Sequence, residues 1–285
     1  MLGQSMTRAT AGLLQQLIAR EALVQLHDDV SGTGARLMPL KGALLVALGI
    51  RKASERPMID VDVLVEPAYA RAAALAAQKR GWSASLGNDS ACMLIHPATS
   101  STSVDLHRTL FPPFYYRMDT EGVFARATPD TKLFGREIVR MSPLDLYAHL
   151  VGHFVKSRTD RRDLRHLRDF APVARWSGMS PRECAAHLQH VGLARGARYA
   201  LRLAADTEND VFAREVLGAL GRDRRGRALA RAADAALSRL EPGSHWGIPF
   251  VHALNTSVPR GARSLYAHLT EPKEDDRSRD GWWRL

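Results

Sequence analysis

Two aspartates, Asp60 and Asp62, interrupt a run of branched apolar residues that otherwise has the pattern of a buried β-strand. Since successive side chains of a strand point to opposite faces, the two carboxylates share one face, and Ile59, Val61 and Val63 share the other. Aspartate is depleted in strands, and an unpaired buried charge is costly, so a bound cation is the simplest compensation. The pattern predicts a Mg²⁺ or Mn²⁺ site; the alternative is an edge strand whose polar face is merely hydrated.

Length and composition limit the class of protein. The chain has 285 residues, enough for one large domain or two modest ones. No apolar stretch approaches the roughly 20 residues that span a bilayer, and the N-terminus lacks the layout of a signal peptide, so we predict a cytoplasmic protein with no membrane partner. Cys92 and Cys184 are too few for a disulfide framework and are predicted to be buried.

The net charge of +10 favours anionic partners such as NTPs or RNA. Basic residues cluster in two segments, at 156–175 and 222–231. A charged run of this kind is also typical of a solvated helix face, so it supports nucleic-acid binding only weakly.

Short strand patterns alternate with helical ones between residues 35 and 140. We predict an N-terminal helix around 13–26, further helices at 43–49 and 68–80, and strands at 36–40, 58–65, 82–86, 92–96 and 103–107. Residues 87–90 have the composition of a hairpin turn. The predicted fold class is α/β in the broad sense (α+β), with a small mixed β-sheet flanked by helices.

The pattern becomes entirely helical after residue 140. Ser142 and Pro143 suit the N-cap and first position of a helix, and further helices are predicted at 160–175, 180–190, 195–207, 211–220, 226–240 and 249–269. Residues 271–280 are charged and lack an apolar face, which is typical of a mobile tail. We therefore predict three regions: a core at 1–140, an all-helical domain at 141–270 and a tail at 271–285.

A third aspartate, Asp105, repeats the apolar–Asp–apolar pattern in the last predicted strand. Three aspartates on adjacent strands can hold two divalent ions, which clamp the attacking and leaving oxygens of an in-line phosphoryl displacement. Mg²⁺ favours a few carboxylates together with substrate phosphates. Upstream, Lys41 and Gly42 form a strand-to-helix turn where a phosphate can approach the backbone amides, although glycine is common in such turns.

These motifs resemble, in residue type and order, those of the uncharacterised nucleotidyltransferase family within the DNA polymerase beta-like superfamily. The matching elements are the turn at 40–42, Arg56 ahead of the strand at 60–65, and the segment 104–107. A helix with two histidines and a lysine at 147–156, and an arginine-rich segment ending in an Asp–apolar pair at 165–170, are also similar. The resemblance covers residues 10–175.

The resemblance implies a polymerase beta-like fold and a metal-dependent enzyme. Such an enzyme transfers NMP from an NTP, such as ATP, to an acceptor hydroxyl and releases pyrophosphate. By the same resemblance, Asp60 and Asp62 bind both Mg²⁺ or Mn²⁺ ions and the triphosphate. Asp105 completes the second metal site and helps to activate the acceptor hydroxyl as a base.

The resemblance also assigns the phosphate contacts. Lys41 and Gly42 are implied to contact the β and γ phosphates, and Arg56 to neutralise further charge. Two positions depart from the usual pattern. Ala43 stands where relatives place a second glycine or a serine, so the serine contact is absent, and Arg108 stands where they often carry an aromatic residue near the acceptor.

The acceptor half of the reaction is less constrained. We predict that His107, His153 and Lys156 face an acceptor pocket, and that the acceptor is a small molecule, a peptide or protein, or a tRNA. His149 and His153 lie four residues apart on one helix face, but the chain lacks a His-Glu-x-x-His motif, so packing is favoured over a zinc site.

Two other functions remain open at this level. An Asp-x-Asp glycosyltransferase also holds a metal and a nucleotide sugar, but it predicts a longer doubly wound sheet ahead of the motif. A non-catalytic nucleotide- or RNA-binding protein on the same fold is the second alternative.

Overall fold

A computed structural model describes most of the chain between residues 8 and 283. The described residues are 8–56, 58, 60–88, 90–96, 98, 102–112, 115–157, 164–221, 223–237, 239, 252–254, 261–263, 265–266, 269 and 281–283.

The chain divides into two compact units that interleave in sequence. The first comprises Met1–Leu110, Thr120–Met141 and Pro272–Leu285, and the second comprises Phe111–Asp119 and Ser142–Glu271. The three-region division at residues 140 and 270 stays a prediction.

The first unit is built on a mixed sheet of five strands within the described residues. These are β1 (Leu37–Pro39), β2 (Asp60–Val65), β3 (Ser83–Gly87), β4 (Ala91–Ile95) and β5 (Ser103–His107). Their order across the sheet is β1-β2-β5-β4-β3; β2 and β5 run parallel, and every other pair is antiparallel. The predicted α+β class with a small mixed sheet is confirmed.

The helices of the first unit are α1 (Arg8–Val30), α2 (Lys41–Ala47), α3 (Ala70–Lys79) and α4 (Thr120–Ala125). Two further strands, β6 (Thr128–Asp130) and β7 (Ile138–Arg140), form an antiparallel pair, and β7 packs beside β1. The sequence analysis did not find α4, β6 or β7. They are three to six residues long, and Pro129 within β6 is unfavourable in a strand, so tertiary contacts define them.

The core of the first unit lies on the face of the sheet opposite the aspartates. Val61 and Val63 of β2 and Leu106 of β5 are completely buried there. Leu23 of α1 and Ala73 of α3 are part of the same apolar cluster. Period-two alternation therefore gives these strands one apolar face that anchors them and one polar face that is available for chemistry.

Two C-terminal tryptophans pack against the first unit. Trp283 is buried over Gly87, where a Cβ would lie 2.5 Å from the indole ring, and the side chain of Gln78 donates a hydrogen bond to the Trp283 carbonyl. Trp282 donates from Nε1 to the carbonyl of Asn88 at 3.1 Å. Residues 271–280 lie outside the described residues, so the mobile tail stays a prediction.

The second unit is helical. Its helices are α5 (Pro143–Lys156), α6 (Phe170–Ser177), α7 (Pro181–His190), α8 (Ala194–Thr207), α9 (Val211–Ala219) and α10 (Arg224–Leu237). The helix predicted at 160–175 was wrong in part, because Arg165–Asp169 forms a 3₁₀ turn before α6. Most of the helix predicted at 249–269 lies outside the described residues. None of the described helices is long and apolar enough to cross a membrane.

Side chains cap the starts of two of these helices, and the first of these caps, at Ser142, was predicted from the sequence. Ser142 Oγ accepts a hydrogen bond from the Asp145 amide at 3.2 Å at the start of α5. Ser180 and Glu183 form a capping box at the start of α7, with Pro181 at its first position.

Two glycines in the helical unit provide a paired test of packing. At Gly152 in α5, a Cβ would lie 2.7 Å from Cζ of Phe111, whereas at Gly218 in α9 it would meet nothing within 4 Å. We expect Gly152→Ala to destabilise the protein, since overpacking typically costs about 1–3 kcal/mol, against at most ~1 kcal/mol gained from helix propensity. Gly218→Ala should raise stability slightly. Thermal unfolding of both variants checks this, and a Gly152→Ala protein as stable as wild type would contradict the packing.

Both cysteines are buried, as predicted. Burial raises the pKa of Cys92 and of Cys184 to about 12, with the negative charge of Asp105 also raising that of Cys92. A thiol reacts as its thiolate, so at pH 8 both should remain neutral and unreactive towards a disulfide reagent in the folded protein. Two thiols should react once denaturant is added. Rapid labelling of either thiol under native conditions would contradict this expectation.

Candidate active site

The parallel pairing of β2 and β5 brings two carboxylates side by side. In the strand register, the Cα of Asp62 is opposite that of Asp105, and Leu64 is opposite His107. Because residues two apart share a face, His107 projects from the same face as Asp105, and Asp60 from the same face as Asp62. The register therefore concentrates three acidic side chains and one histidine on the polar face of two adjacent strands.

A backbone hydrogen bond places the α2 turn against this face. The amide of Leu40 donates to the carbonyl of Asp62 at 2.9 Å, immediately before α2 begins at Lys41. Lys41 has a φ of 44°, a left-handed conformation that is unusual for a residue with a side chain. Its ammonium group reaches Oδ1 of Asp62 at 2.6 Å. The turn thus holds the ammonium group of Lys41 against the carboxylate of Asp62, at the cost of a strained backbone conformation at Lys41.

Asp62 is the most heavily engaged member of the site. The residue is buried, at 8% exposure, and Nε2 of His107 lies 3.0 Å from the same oxygen that binds Lys41. Since a carboxylate can only accept, Nε2 must carry the hydrogen of this bond. Burial by itself raises the pKa of Asp62, but the hydrogen bond from His107 and the charge of Lys41 outweigh it and hold that pKa well below its usual range. Asp62 is therefore ionised at neutral pH.

Asp105 experiences the opposite balance. Burial raises its pKa, and the negative charges of Asp60 and Asp62 raise it further, against the opposing effects of His107 and Lys41. The convergence of carboxylates is thus electrostatically unfavourable without an added positive charge. This is the condition under which a divalent cation binds well.

Three side chains have the geometry of a cation site. Asp62, Asp105 and His107 each offer one ligand atom, and these atoms lie within 4.8 Å of one another. The two carboxylates fit a divalent ion such as Mn²⁺, and carboxylates with phosphate oxygens suit Mg²⁺; His107 would become a third ligand only through a ring nitrogen that carries no hydrogen. Asp60 is exposed and is not a member of this group. Its role as a metal ligand stays a prediction.

The remaining predicted phosphate contacts lie next to the turn. Gly42 is buried in α2; a Cβ there would lie 2.9 Å from Cγ and Sδ of Met58 and 3.8 Å from Cγ of Arg56. The absence of a side chain at Gly42 therefore lets the segment before β2 pass close to the start of α2. Arg56 is half-buried beside this passage.

A sequence model of the uncharacterised nucleotidyltransferase family matches residues 4–208, which include all of these side chains. The chain belongs to this family. The match confirms the resemblance inferred from the motifs, and it implies nucleotidyl transfer as the class of reaction and an NTP as a substrate. No curated protein and no solved structure matches the chain.

The family match also includes the predicted acceptor residues of the second unit. His153 lies on α5 with its ring centroid 5.3 Å from that of His166 and 6.1 Å from that of His149, and Lys156 is the last residue of the same helix. Within the described part of the chain, these rings do not form a three-ligand metal group. His107, in contrast, lies on β5 of the first unit beside the carboxylates. The acceptor role of all three residues stays a prediction.

Sequence reasoning missed two features of the site. His107 was assigned to the acceptor pocket, but it contacts Asp62 and offers a ligand atom; its spacing of two from Asp105 was the available signal. Lys41 was assigned to phosphates, whereas here it pairs with Asp62. Neither contact follows from the sequence, because both depend on which strand lies next to β2.

The strained turn yields a prediction at Lys41. A left-handed conformation costs a residue with a side chain about 1–2 kcal/mol, and glycine avoids this cost but loses about 0.5–1 kcal/mol in chain entropy. Lys41→Gly and Lys41→Ala both remove the ion pair with Asp62. We expect the glycine variant to be more stable than the alanine variant by roughly 0.5–1 kcal/mol in urea unfolding. Equal stabilities would show that the turn is not strained.

Proposed function

We propose that this protein is a divalent-metal-dependent nucleotidyltransferase that transfers NMP from an NTP to an acceptor hydroxyl and releases pyrophosphate. The observation that carries the proposal is the register of β2 and β5, which sets Asp62 and Asp105 side by side, with Lys41 and His107 on Asp62. Family membership supports the same reaction class.

In this proposal, Asp60, Asp62 and Asp105 would hold Mg²⁺ or Mn²⁺. Such ions would supply positive charge to the attacking and leaving oxygens. Asp62 is kept ionised by its contacts with Lys41 and His107, so it is a permanent anionic ligand. His107 fixes the orientation of that carboxylate through its Nε2 hydrogen, as partners of metal-binding carboxylates commonly do.

The triphosphate is assigned to the start of α2. The ammonium group of Lys41 already contacts one anionic oxygen, that of Asp62, and can exchange it for a phosphate oxygen in the same place. Gly42 and its amide are assigned to the β and γ phosphates, as the family resemblance implies, and Arg56 adds a second positive charge beside them.

The chemical step forms one bond and breaks one. The acceptor oxygen attacks the α-phosphorus, the bond from that phosphorus to its bridging oxygen breaks, and pyrophosphate leaves with the bonding electrons. The acceptor proton passes to the carboxylate of Asp105.

We assign acceptor binding to His153 and Lys156 of the second unit, which the sequence singles out. His153 and Lys156 offer a proton-transfer group and a positive charge on one helix, beside the ring of His166. A small molecule, a peptide or protein, and a tRNA all present a suitable hydroxyl. The glycosyltransferase alternative is disfavoured, because the described sheet is antiparallel at both edges and not a doubly wound parallel sheet.

The proposal predicts pyrophosphate release that depends on the aspartates. Wild-type protein should be incubated with each NTP labelled at the α-phosphate, with Mg²⁺ or Mn²⁺, and with candidate acceptors from the three classes. We expect Asp60→Ala combined with Asp62→Ala to abolish label transfer. Asp105→Asn should lower the rate by about 10²–10⁴-fold, as is typical for loss of a general base.

Two controls make this assay decisive. Asp206→Asn combined with Glu215→Gln removes two exposed carboxylates of the second unit and should leave the rate unchanged. Binding of Mn²⁺, followed by electron paramagnetic resonance, should be lost in Asp62→Asn but retained in this control. Transfer of the α-phosphate label to an acceptor that persists in the Asp60→Ala, Asp62→Ala protein would refute the mechanism. NTP binding without transfer to any acceptor would favour the non-catalytic alternative.

A further inference from the structure

Four arginines of the second unit line one cavity of about 240 Å³. Arg198 and Arg202 lie four residues apart on α8, and Arg227 and Arg231 lie four residues apart on α10. Residues at this spacing share a helix face, and α8 packs against α10, so two arginine pairs converge on the same space. No acidic residue is present among the described residues that line it.

The rest of the cavity wall is apolar or open. Leu217 and Gly218 contribute from α9, and Ala230 contributes from α10 between the two arginines of that helix. A Cβ at Gly218 would meet nothing within 4 Å, so this part of the wall faces empty space. The cavity therefore combines concentrated positive charge with a small apolar surface.

Within the described part of the chain, two of the three guanidinium nitrogens of Arg198 are hydrogen-bonded to the protein, and the third is not. Its side chain is buried, at 6% exposure, and its two terminal nitrogens donate to the carbonyls of Leu220 and Gly221 at 2.7 and 3.0 Å, just after α9. Its Nε atom is buried and has no hydrogen-bond acceptor among the described residues; Oδ2 of Asp223 lies 3.9 Å away. A buried donor without an acceptor is costly, and an anion in the cavity would supply one.

The arginines also repel one another. Burial lowers the pKa of Arg198, the charge of Asp223 opposes this, and the like charge of Arg227 lowers it further. Asp223 is half exposed, and its Oδ1 accepts from the Gly226 amide at 2.9 Å near the start of α10. Asp223, whose other oxygen caps a helix, therefore balances the charge of Arg198 only in part.

We propose that this cavity binds a small phosphomonoester, with its phosphate on the arginines and its body against Leu217 and Ala230. Guanidinium groups match phosphate oxygens with paired, directional hydrogen bonds. The volume is just below the roughly 300–1,000 Å³ of pockets for drug-sized ligands, so it suits a ligand of small-metabolite size. An RNA strand is disfavoured, because strand binding uses an extended basic groove with aromatic platforms.

This site goes beyond the proposed catalytic function. It shares no residue with the aspartates of the first unit, and five of its seven lining residues follow residue 208, where the family match ends. We therefore infer a feature of this chain and not of the family as a whole. It also gives the basic segment at 222–231, which the charge pattern singles out, a specific ligand.

Calorimetric titration with AMP in EDTA tests the proposal. EDTA removes divalent cations, so binding at the metal-dependent site is suppressed. We expect AMP and inorganic phosphate to bind, and adenosine, which lacks the phosphate, not to bind. Arg227→Ala combined with Arg231→Ala should weaken AMP binding at least tenfold. The matched control, Arg224→Ala combined with Arg225→Ala, removes the same charge from the same helix outside the cavity and should bind AMP like wild type.

Two further variants test whether AMP binding depends on the cavity itself and not only on its charge, and whether it is independent of the proposed catalytic site. Gly218→Phe fills the cavity while keeping all four arginines, and it should weaken AMP binding at least tenfold, whereas Gly218→Ala should not. Asp60→Ala combined with Asp62→Ala should bind AMP in EDTA normally, so the result is independent of the proposed catalytic function. Thermal unfolding without ligand confirms that each variant is folded.

Three outcomes would overturn the proposal. The first is no AMP binding by wild type, and the second is equal weakening by the cavity and control arginine pairs. The third is binding of a short RNA, but not of AMP, that is lost in Arg227→Ala, Arg231→Ala, which would identify a nucleic-acid surface instead.

Discussion

The contact of Lys41 and His107 with the same oxygen of Asp62 is the interaction on which the candidate site of the first unit depends. It keeps a buried carboxylate ionised, fixes its orientation, and joins three separate elements: the α2 turn, β2 and β5. Without these partners, burial would favour the neutral acid, which is a poor ligand for a cation. These three elements hold the carboxylate of Asp62 in place.

The sheet supports the carboxylate of Asp62 because one of its faces is apolar and the other is polar. Val61 and Val63 anchor β2 in the core, while Asp60 and Asp62 project from the opposite face of the strand. The acidic side chains therefore do not lie among the apolar side chains of the core. The parallel neighbour β5 then supplies Asp105 directly opposite Asp62. Backbone hydrogen bonds hold the carboxylates together against their mutual repulsion, which leaves the site prepared for positive charge.

The helical unit concentrates positive charge, whereas the first unit concentrates negative charge. Its arginines converge from α8 and α10 on a cavity with no acidic lining residue among those described, and Arg198 is held there by carbonyls at the end of α9. In both units, rigid backbone contacts keep like charges close together. We infer that each such concentration marks a place for a ligand of opposite sign: a divalent cation at the aspartates and a phosphate at the arginines.

The sequence by itself determined the five strands of the main sheet, most helices and the family, and it singled out Asp60, Asp62 and Asp105, because alternation, caps and short motifs are local properties. Only the tertiary structure decided that His107 and Lys41 meet at Asp62, since this depends on β5 pairing parallel, and β1 antiparallel, to β2. The same reason explains why the short elements α4, β6 and β7 were missed and why the arginine cavity appeared only as a charged run. Contacts between distant segments follow from packing, which no local pattern encodes.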